Sequence, residues 1–478
     1  MIHGPYLVFA VLVAYFALLV VVAEWATRRV KTDNSQFFTA GRQSPWWLVS
    51  FGMIGASLSG VTFVSVPGWV GTSSFSYLQM VLGYLVGYAV VAFVLLPLYY
   101  RTATTTIYGY LDQRFGLTAY RTGAWLFIVS RWVGSSLRLL LVAAILHDLV
   151  AKPFGLPFGA TVFGVLGLIW LYTHRGGIRA VVFTDTLQTA AMLGVLVWVL
   201  VVLLGDLGVS EPWNWLWQQP ESQWFFPDAS DGRNFWKQFL GGMFITITMT
   251  GLDQDMMQKN LTCRSLKEAQ LNMVVFSVVL VAVNLLFLAL GIVLYRYAAG
   301  AGISVVGDGL FAAVALSPEM PVAIGVLFVL GLVAAAYSSA DSALTALTTS
   351  FSVDILGVEH MAPARAERLR RNVHIAMTVA VGALMIAVKP FADKSIITTI
   401  FTAAGYTYGP LLGLFALGQL TSVRPIGWWI PVSCLAGPVL TYAASVAGPA
   451  YLGYTFGFEL ILVNGLLTAM LLAAGPKK

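Results

Sequence analysis

Charge is what this sequence has least of. Of 478 residues only 10% are Asp, Glu, Lys or Arg, while 58% are hydrophobic. A water-soluble domain uses roughly a quarter of its residues as charges to cover its surface. A chain with so few must present much of its surface to something other than water. Cysteine is nearly missing as well: Cys263 and Cys434 are the only two, which excludes a disulfide framework. The five histidines (His3, His147, His174, His360 and His374) are scattered, and no H-E-x-x-H pair occurs, so no metal-site pattern is present. There is no G-x-x-x-x-G-K-[ST] phosphate loop, and no stretch between apolar runs is long enough to hold an ATPase. Active transport by such a chain would need energy from an ion gradient.

What the sequence does have is apolar runs from end to end, each long enough to cross a bilayer core of about 30 Å. Inside hydrocarbon every backbone polar group must be satisfied internally, so such runs are helices. The alternating pattern that a barrel needs is absent. The expected fold is therefore all-α and integral to the membrane, with about 13 transmembrane helices. The spans fall at roughly 4–25, 46–70, 75–100, 119–150, 157–174, 179–204, 234–258, 271–298, 321–353, 372–389, 394–421, 425–447 and 452–474. A lipid bilayer is thus an implied partner.

The net charge of +6 does not imply a nucleic acid, because the basic residues lie in short loops between apolar runs. The first run, from Tyr6 to Ala23, has basic residues after it and none before it, the reverse of a secretory signal. It is read as a true span with the N-terminus outside. Cytoplasmic loops then carry Arg28, Arg29, Lys31 and Arg42; Arg101, Arg114 and Arg121; Arg175 and Arg179; Lys259, Arg264 and Lys267; Arg365, Arg368, Arg370 and Arg371; Arg424; and the tail Lys477 and Lys478. The other side receives Lys152, Arg233, Lys237, Arg296, Lys389 and Lys394. The bias, about 19 against about 6, follows the positive-inside rule. It places the C-terminus in the cytoplasm and the chain in the cell (inner or plasma) membrane as a multi-pass protein. Cys263 is expected at the cytoplasmic membrane surface and Cys434 inside a helix. Asn260-Leu-Thr262 matches a glycosylation acceptor but falls on the cytoplasmic side. The acidic, Trp-rich stretch 205–233 (Glu211, Trp213, Trp215, Trp217, Glu221) is expected to form an external interfacial lid or a re-entrant cap.

Two spans are poor helices. Ser50-Phe-Gly-Met-Ile-Gly-Ala-Ser-Leu-Ser-Gly-Val-Thr62 places Gly52, Gly55 and Gly60 with four hydroxyls at mid-membrane depth. Five spans later, Gly241 to Gln254 again has glycines and hydroxyls where leucines are expected. Glycine lowers the cost of leaving helical geometry. Interrupted spans in matching positions of two halves mark an inverted-repeat transporter and its binding site. Close packing through small residues is the alternative for either span alone.

Arg138, Asp185, Asp253 and Asp341 fall inside or at the inner ends of spans. A charge at a helix centre costs about 2.5–3.5 kcal/mol on insertion scales, so each is a functional candidate. The densest group is Ala334-Ala-Ala-Tyr-Ser-Ser-Ala-Asp-Ser-Ala-Leu-Thr345. Ser338, Asp341, Ser342 and Thr345 recur at i, i+3, i+4 and i+7 and share one helix face. Hydroxyls that merely bond their own i−4 carbonyls would explain the serines and threonines, but not Asp341. A row of hydroxyls with a carboxylate offers the hard oxygen ligands that alkali cations take in place of water.

These segments carry a resemblance. Leu48 to Gly71, Gly177 to Asp185, Asp253-Gln254 with Gln258 and Ser265 to Gln270, and Ala334 to Thr345 together resemble the sodium/solute symporter family, which includes sodium–glucose, sodium–proline and sodium–sialate carriers. The resemblance covers nearly the whole chain. It implies a LeuT-like core of two inverted five-helix repeats, 46–204 and 234–421. An N-terminal extra helix and loop would occupy 1–45, the external loop 205–233, and two C-terminal helices 422–478. It implies sodium as the coupling ion, with a main site made by the carbonyls of Gly55, Leu58 and Ala335 and the hydroxyls of Ser338 and Ser339. Some relatives add a second sodium, which here would involve Asp185, Ser338, Asp341 and Ser342. Asp341 departs from those relatives, where a hydroxyl stands, and a second carboxylate there would strengthen the site or turn it toward protons.

The same resemblance places the substrate among Ser59, Thr62, Gln79, Arg138 and Asp253. Arginine holds carboxylates in a bidentate fork, and sialate-type carriers use an arginine on this helix, which implies a sialic acid or another sugar acid. The competing reading has Arg138 paired with Asp253 or another carboxylate, touching no substrate. Tyr406, Thr407 and Tyr408 beside Gly405 and Gly409 are candidates to gate or contact the solute, or to pack. The chain is thus expected to be a sodium-coupled symporter of a small polar solute, acting as a monomer and not an enzyme. A neutral sugar or amino acid as solute, or proton coupling, remains an alternative. In other classes, a channel would need a continuous polar stripe, an enzyme a convergent nucleophile and base, and a sensor an appended signalling domain; none is read in the sequence.

Overall fold

The computed structural model describes residues 5–28, 33–102, 104–391 and 396–477. Arg29, Lys31, Lys394 and Lys478, used above to assign sides, lie outside the described residues, as does the side chain of Arg175. Among the described residues the regular elements are helices, and β pairing is limited to two isolated bridges, Ser44 with Cys263 and Pro425 with Lys477.

The first half of the chain forms α1 (Pro5–Thr27), α2 (Trp46–Ser57), α3 (Gly60–Ser73), α4 (Tyr77–Val90, continuing to Thr102), α5 (Leu117–Leu146), α6 (Phe158–Gly176) and α7 (Ile178–Asp206). The second half forms α8 (Phe235–Thr246), α9 (Gln254–Asn260), α10 (Leu266–Gly300), α11 (Val322–Ser350), α12 (Pro363–Val388), α13 (Ile396–Leu420), α14 (Trp429–Leu452) and α15 (Leu460–Ala474). Among the described residues nine stretches are long and apolar enough to cross a membrane. Trp46–Ser57, Phe158–His174 and Leu460–Ala474 are shorter apolar helices. One of the nine, Gly60–Thr102, runs 43 residues, about twice the length a bilayer core requires. It is two helices, α3 and α4, turned at Ser74, where φ is 51°.

The bundle is apolar on both its inside and its outside. Trp25, Trp198, Val201, Leu435 and Val439 are more than half exposed, the pattern of side chains that face lipid. Phe63, Phe127, Phe287 and Phe328 are fully buried. Of the nine long apolar stretches the most enclosed is the one that contains α11, with 72% of its apolar window buried. Its run of alanines and serines lets neighbours approach closely, which is how helices associate when hydrocarbon offers no hydrophobic drive.

Seven helix pairs position the site: α7 lies against α2 and α11, α5 against α11 and α13, α4 against α8, α3 against α10, and α13 against α15. The α4–α8 contact rests on facing glycines. A Cβ on Gly83 would strike the carbonyl of Phe239, and one on Gly242 the carbonyl of Met80.

Three polar positions differ from expectation. Lys259, assigned to a cytoplasmic loop, is 1% exposed and closes the end of α9. Arg370, assigned to a loop, is buried with its guanidinium 4.3 Å over the Phe37 ring. Cys263, expected at the membrane surface, is fully buried within the protein; its backbone bridges to Ser44 and its N–H donates to the Asn260 carbonyl at 3.1 Å. Burial pushes the Cys263 thiol up to about 12. Since the thiolate is the reactive form, Cys263 in the folded protein should resist a maleimide at pH 7.5 and react only on denaturation. Fast labelling of native protein would show that this turn opens.

Candidate functional site

Both interrupted spans are broken in the structure. α2 stops at Ser57. Leu58 (φ −86°, ψ 79°) and Ser59 (φ −68°, ψ 170°) are extended, and α3 restarts at Gly60. In the second span α8 passes into a wide turn at Ile247–Gly251, and the chain leaves helical geometry at Leu252 and Asp253 before α9 begins. Asp253 caps α9 by accepting from the Asp255 N–H at 2.8 Å. The residues that leave helical geometry are Leu58, Ser59, Leu252 and Asp253, none of them a glycine; Asp253 caps α9, while Ser59 makes no side-chain cap to α3.

A cavity of about 100 Å³ lies between the two breaks. The first break gives it Ser57, Ser59 and Thr62; the second gives Thr246 and Thr250. α4 contributes Tyr77, Tyr84 and Tyr88, and α5 contributes Arg131 and Arg138. The Tyr77 and Tyr84 hydroxyls are 3.2 Å apart. The lining is therefore aromatic and hydroxylated with two guanidinium groups.

The two arginines have different surroundings. Arg131 is 3% exposed; it lies 3.5 Å from an Asp253 carboxylate oxygen and ion-pairs with Asp255. The Tyr408 hydroxyl also bonds Asp253. Arg138, two helical turns along α5, has no ion pair among the described residues and opens on the cavity. The expected carboxylate pairing thus exists, but Arg131 makes it. Sequence reading missed Arg131, although Arg131 and Arg138, seven apart, share a helix face.

The other expected substrate residues divide. Ser59 and Thr62 line the cavity. Gln79 does not: its amide donates to the Arg233 carbonyl at 2.8 Å and accepts from the Phe226 N–H at 3.2 Å, so it fastens the segment 226–233. Asp253 is spent on Arg131, Tyr408 and the α9 cap and is absent from the cavity wall. Of the α13 residues, Tyr408 reaches the site through Asp253, while Tyr406 bonds Ser445 at 3.0 Å and Thr407 its own helix at 2.8 Å. Loop 205–233 is anchored further by Arg296, which bonds Glu221 at 2.6 Å and Gln219 at 3.0 Å. Within it, hydrogen bonds from Arg233 hold the Asp231 carboxyl below its usual range.

Behind the first break, α2, α7 and α11 meet. Gly55 lies so close that a Cβ on it would strike Thr189 Oγ1 and come within 3.1 Å of Ser338 Oγ. The Gly55 N–H donates to Thr189 Oγ1 at 3.0 Å, another contact that sequence reading missed. Ser338 donates to Asp185 at 2.5 Å and Ser339 to the Ala336 carbonyl at 3.0 Å. Asp185 also receives Lys259 at 2.5 Å and Ser342 at 3.5 Å. Asp341 accepts from Tyr172 at 2.9 Å and Thr184 at 3.4 Å. Gly55 and Ser338 thus stand together, with Leu58, Ala335 and Ser339 in the same two strips of chain, and Asp185, Asp341 and Ser342 form the adjoining layer.

The family model for the sodium:solute symporters matches residues 37–429. The chain belongs to the sodium:solute symporter family. Like other members of that family, this symporter couples its solute to sodium. It is 25% identical to the sodium/sialic acid symporter of Proteus mirabilis, over 97% of this chain and 95% of that one. It is 28% identical to the human sodium/iodide cotransporter, over 84% of this chain and 65% of that one. Its fold is similar to a substrate-bound, outward-open sodium-coupled sialic acid symporter, with a TM-score of 0.81, 21% identity and 99% coverage of both chains.

Proposed function

We propose that this symporter imports a sialic acid or a related sugar acid. The observation that carries the reading is Arg138: a guanidinium on the wall of the central cavity, with no carboxylate paired to it among the described residues, while Arg131 neutralises Asp253 and Asp255. An arginine left without a partner in low dielectric is poised for an anion, and its fork matches a carboxylate. The hydroxyls of Ser59 and Thr62 and the three tyrosines suit a polyol. Two of the similar proteins carry sialic acid and iodide, both anions. Gln79 and Asp253 act from behind, by fixing loop 205–233 and the second break. The family to which the chain belongs is one of transporters, which supports reading it as a carrier.

The sodium ligands of this reading are the carbonyls of Gly55, Leu58 and Ala335 and the hydroxyls of Ser338 and Ser339. The donor set fits a hard monovalent cation. The Leu58 N–H closes the last turn on the Ile54 carbonyl while its backbone turns out of helical geometry, and Ser338 gives its proton to Asp185, which leaves the Ser338 lone pairs free for a cation. Ser338→Ala removes one ligand. At about 1.5–3 kcal/mol for a contact to a charge, the sodium concentration for half-maximal stabilisation should rise roughly 10- to 100-fold. A sodium titration followed by thermal unfolding reads this, and an unchanged midpoint would remove Ser338 from the site.

The inverted repeat is part of the same reading. α2 with α10 and α8 with α4 are the same contact if the two halves exchange, and the breaks after Ser57 and Thr246 correspond. Thirteen crossings result when α2–α3 and α8–α9 each count as one. Charge then puts the N-terminus outside, the C-terminus inside, and loop 205–233 as an external lid. The cavity lies within one chain, so a monomer in the bilayer suffices for transport.

The test is thermal stability of the purified protein, in sodium and in potassium, against sialic acids, sugar acids, neutral sugars and amino acids. A ligand bound only to the folded state raises stability by mass action. Acidic solutes should raise the midpoint in sodium and not in potassium. A response confined to neutral solutes would overturn the solute assignment, leaving sodium coupling intact.

A further inference from the structure

Asp185 is the carboxylate around which a second sodium would be expected, and its surroundings do not fit one. Both of its oxygens are occupied. Ser338 donates to one at 2.5 Å, and the Lys259 ammonium lies 2.5 Å from the other, where Ser342 also approaches at 3.5 Å. Lys259 is 1% exposed and Asp185 fully buried. An alkali ion seeks a cage of oxygens, but here the cage already holds a group with only N–H donors. A sodium placed beside it would face a like charge; at about 4 Å and an effective dielectric constant of about 20 that repulsion is on the order of 4 kcal/mol.

Asp341 gives a second, independent reason for a fixed cation. It brings another fully buried carboxylate to the same layer, and Lys259 lies in the field of both. Tyr172 and Thr184 satisfy one Asp341 oxygen, and the other has no hydrogen-bond partner. A second carboxylate this deep must either take up a proton or share a nearby positive charge, whether or not sodium is abundant. Lys259 delivers it from the end of α9, the half-helix beyond the second break.

We infer that Lys259 is a tethered cation standing in the place of a second sodium, so that this symporter binds sodium at a single site. The inference rests on the sodium reading above for that single site. It also gives Lys259 a positioning role, since its charge ties α9 to α7 and α11.

Equilibrium binding of radiolabelled sodium ion to the purified full chain, counted per protein, tests this directly. Wild type should bind one ion. Lys259→Gln should bind one more than wild type, because two carboxylates are left to draw a mobile cation into the vacated place. Lys259→Gln combined with Asp341→Ser removes the surplus carboxylate and serves if the single variant does not fold; it should also gain one ion. Wild type binding two ions would overturn the inference by itself, as would folded variants that gain none. A wild type that binds none would instead sink the site at Gly55, Leu58, Ala335, Ser338 and Ser339. The gain on replacing Lys259 would still decide the tethered cation.

Discussion

Replacing Arg138 by alanine should remove acid-solute binding while leaving the sodium response of the empty protein in place. Arg138 lines the cavity and has no ion pair among the described residues, so its loss strands no carboxylate in the protein. Its cost falls on the complex, where the solute's carboxylate would be left desolvated and unmatched. Truncating one member of such a pair costs about 2–5 kcal/mol, which is roughly 30- to several thousand-fold in affinity. Arg138→Lys keeps the charge and loses the fork, and should fall between the two. Solute titrations by calorimetry or thermal shift, in saturating sodium, give the affinities. If Arg138→Ala binds sialic acid as wild type does, the guanidinium is structural and the solute must be sought elsewhere.

Arg131→Ala should instead damage the fold. Arg131 holds Asp253 and Asp255, all three buried, and Tyr408 joins the same group. Removing the cation leaves two carboxylates uncompensated at the second break, a loss of about 3–5 kcal/mol by analogy with other buried pairs. The thermal midpoint in detergent should drop sharply, with or without solute. Arg131→Ala with Asp255→Asn removes one stranded charge and should recover part of the loss. An Arg131→Ala protein of wild-type stability would mean that the pair is not formed in the folded carrier. The two arginines, seven residues apart on α5, thus give opposite results: one abolishes binding in a stable protein, the other destabilises it.

Neighbouring residues differ in how legible they were from sequence. Ser59, Thr62 and Arg138 were legible because an unsatisfied polar group in an apolar run has few reasons to be there. Gln79 looked equivalent, yet its amide is used by the 226–233 backbone, more than 140 residues away in sequence. Arg131 was overlooked because nothing local distinguishes a paired arginine from an unpaired one. Lys259 was misplaced for a related reason: charge counting assumes that a basic residue at a span's end meets water or headgroups, whereas here Asp185 was within reach.

The sequence by itself determined the solvent of this protein and the places where its helices break. Both follow from local composition: runs too apolar for water, and glycines and hydroxyls where a straight helix would carry leucine. It also brought Ser338, Asp341 and Ser342 onto one face, because helical periodicity is local. Only the tertiary structure decided which charges neutralise one another. Arg131 with Asp253 and Asp255, and Lys259 with Asp185, are pairs between separate helices, and pairing is set by how α5, α7, α9 and α11 pack. In a low-dielectric interior a charge takes the partner within a few ångströms, and which partner that is cannot be read from spacing along the chain. Arg138 lines the cavity with no ion pair among the described residues for the same reason: the packing that brought Arg131 to the aspartates left Arg138 on the cavity wall.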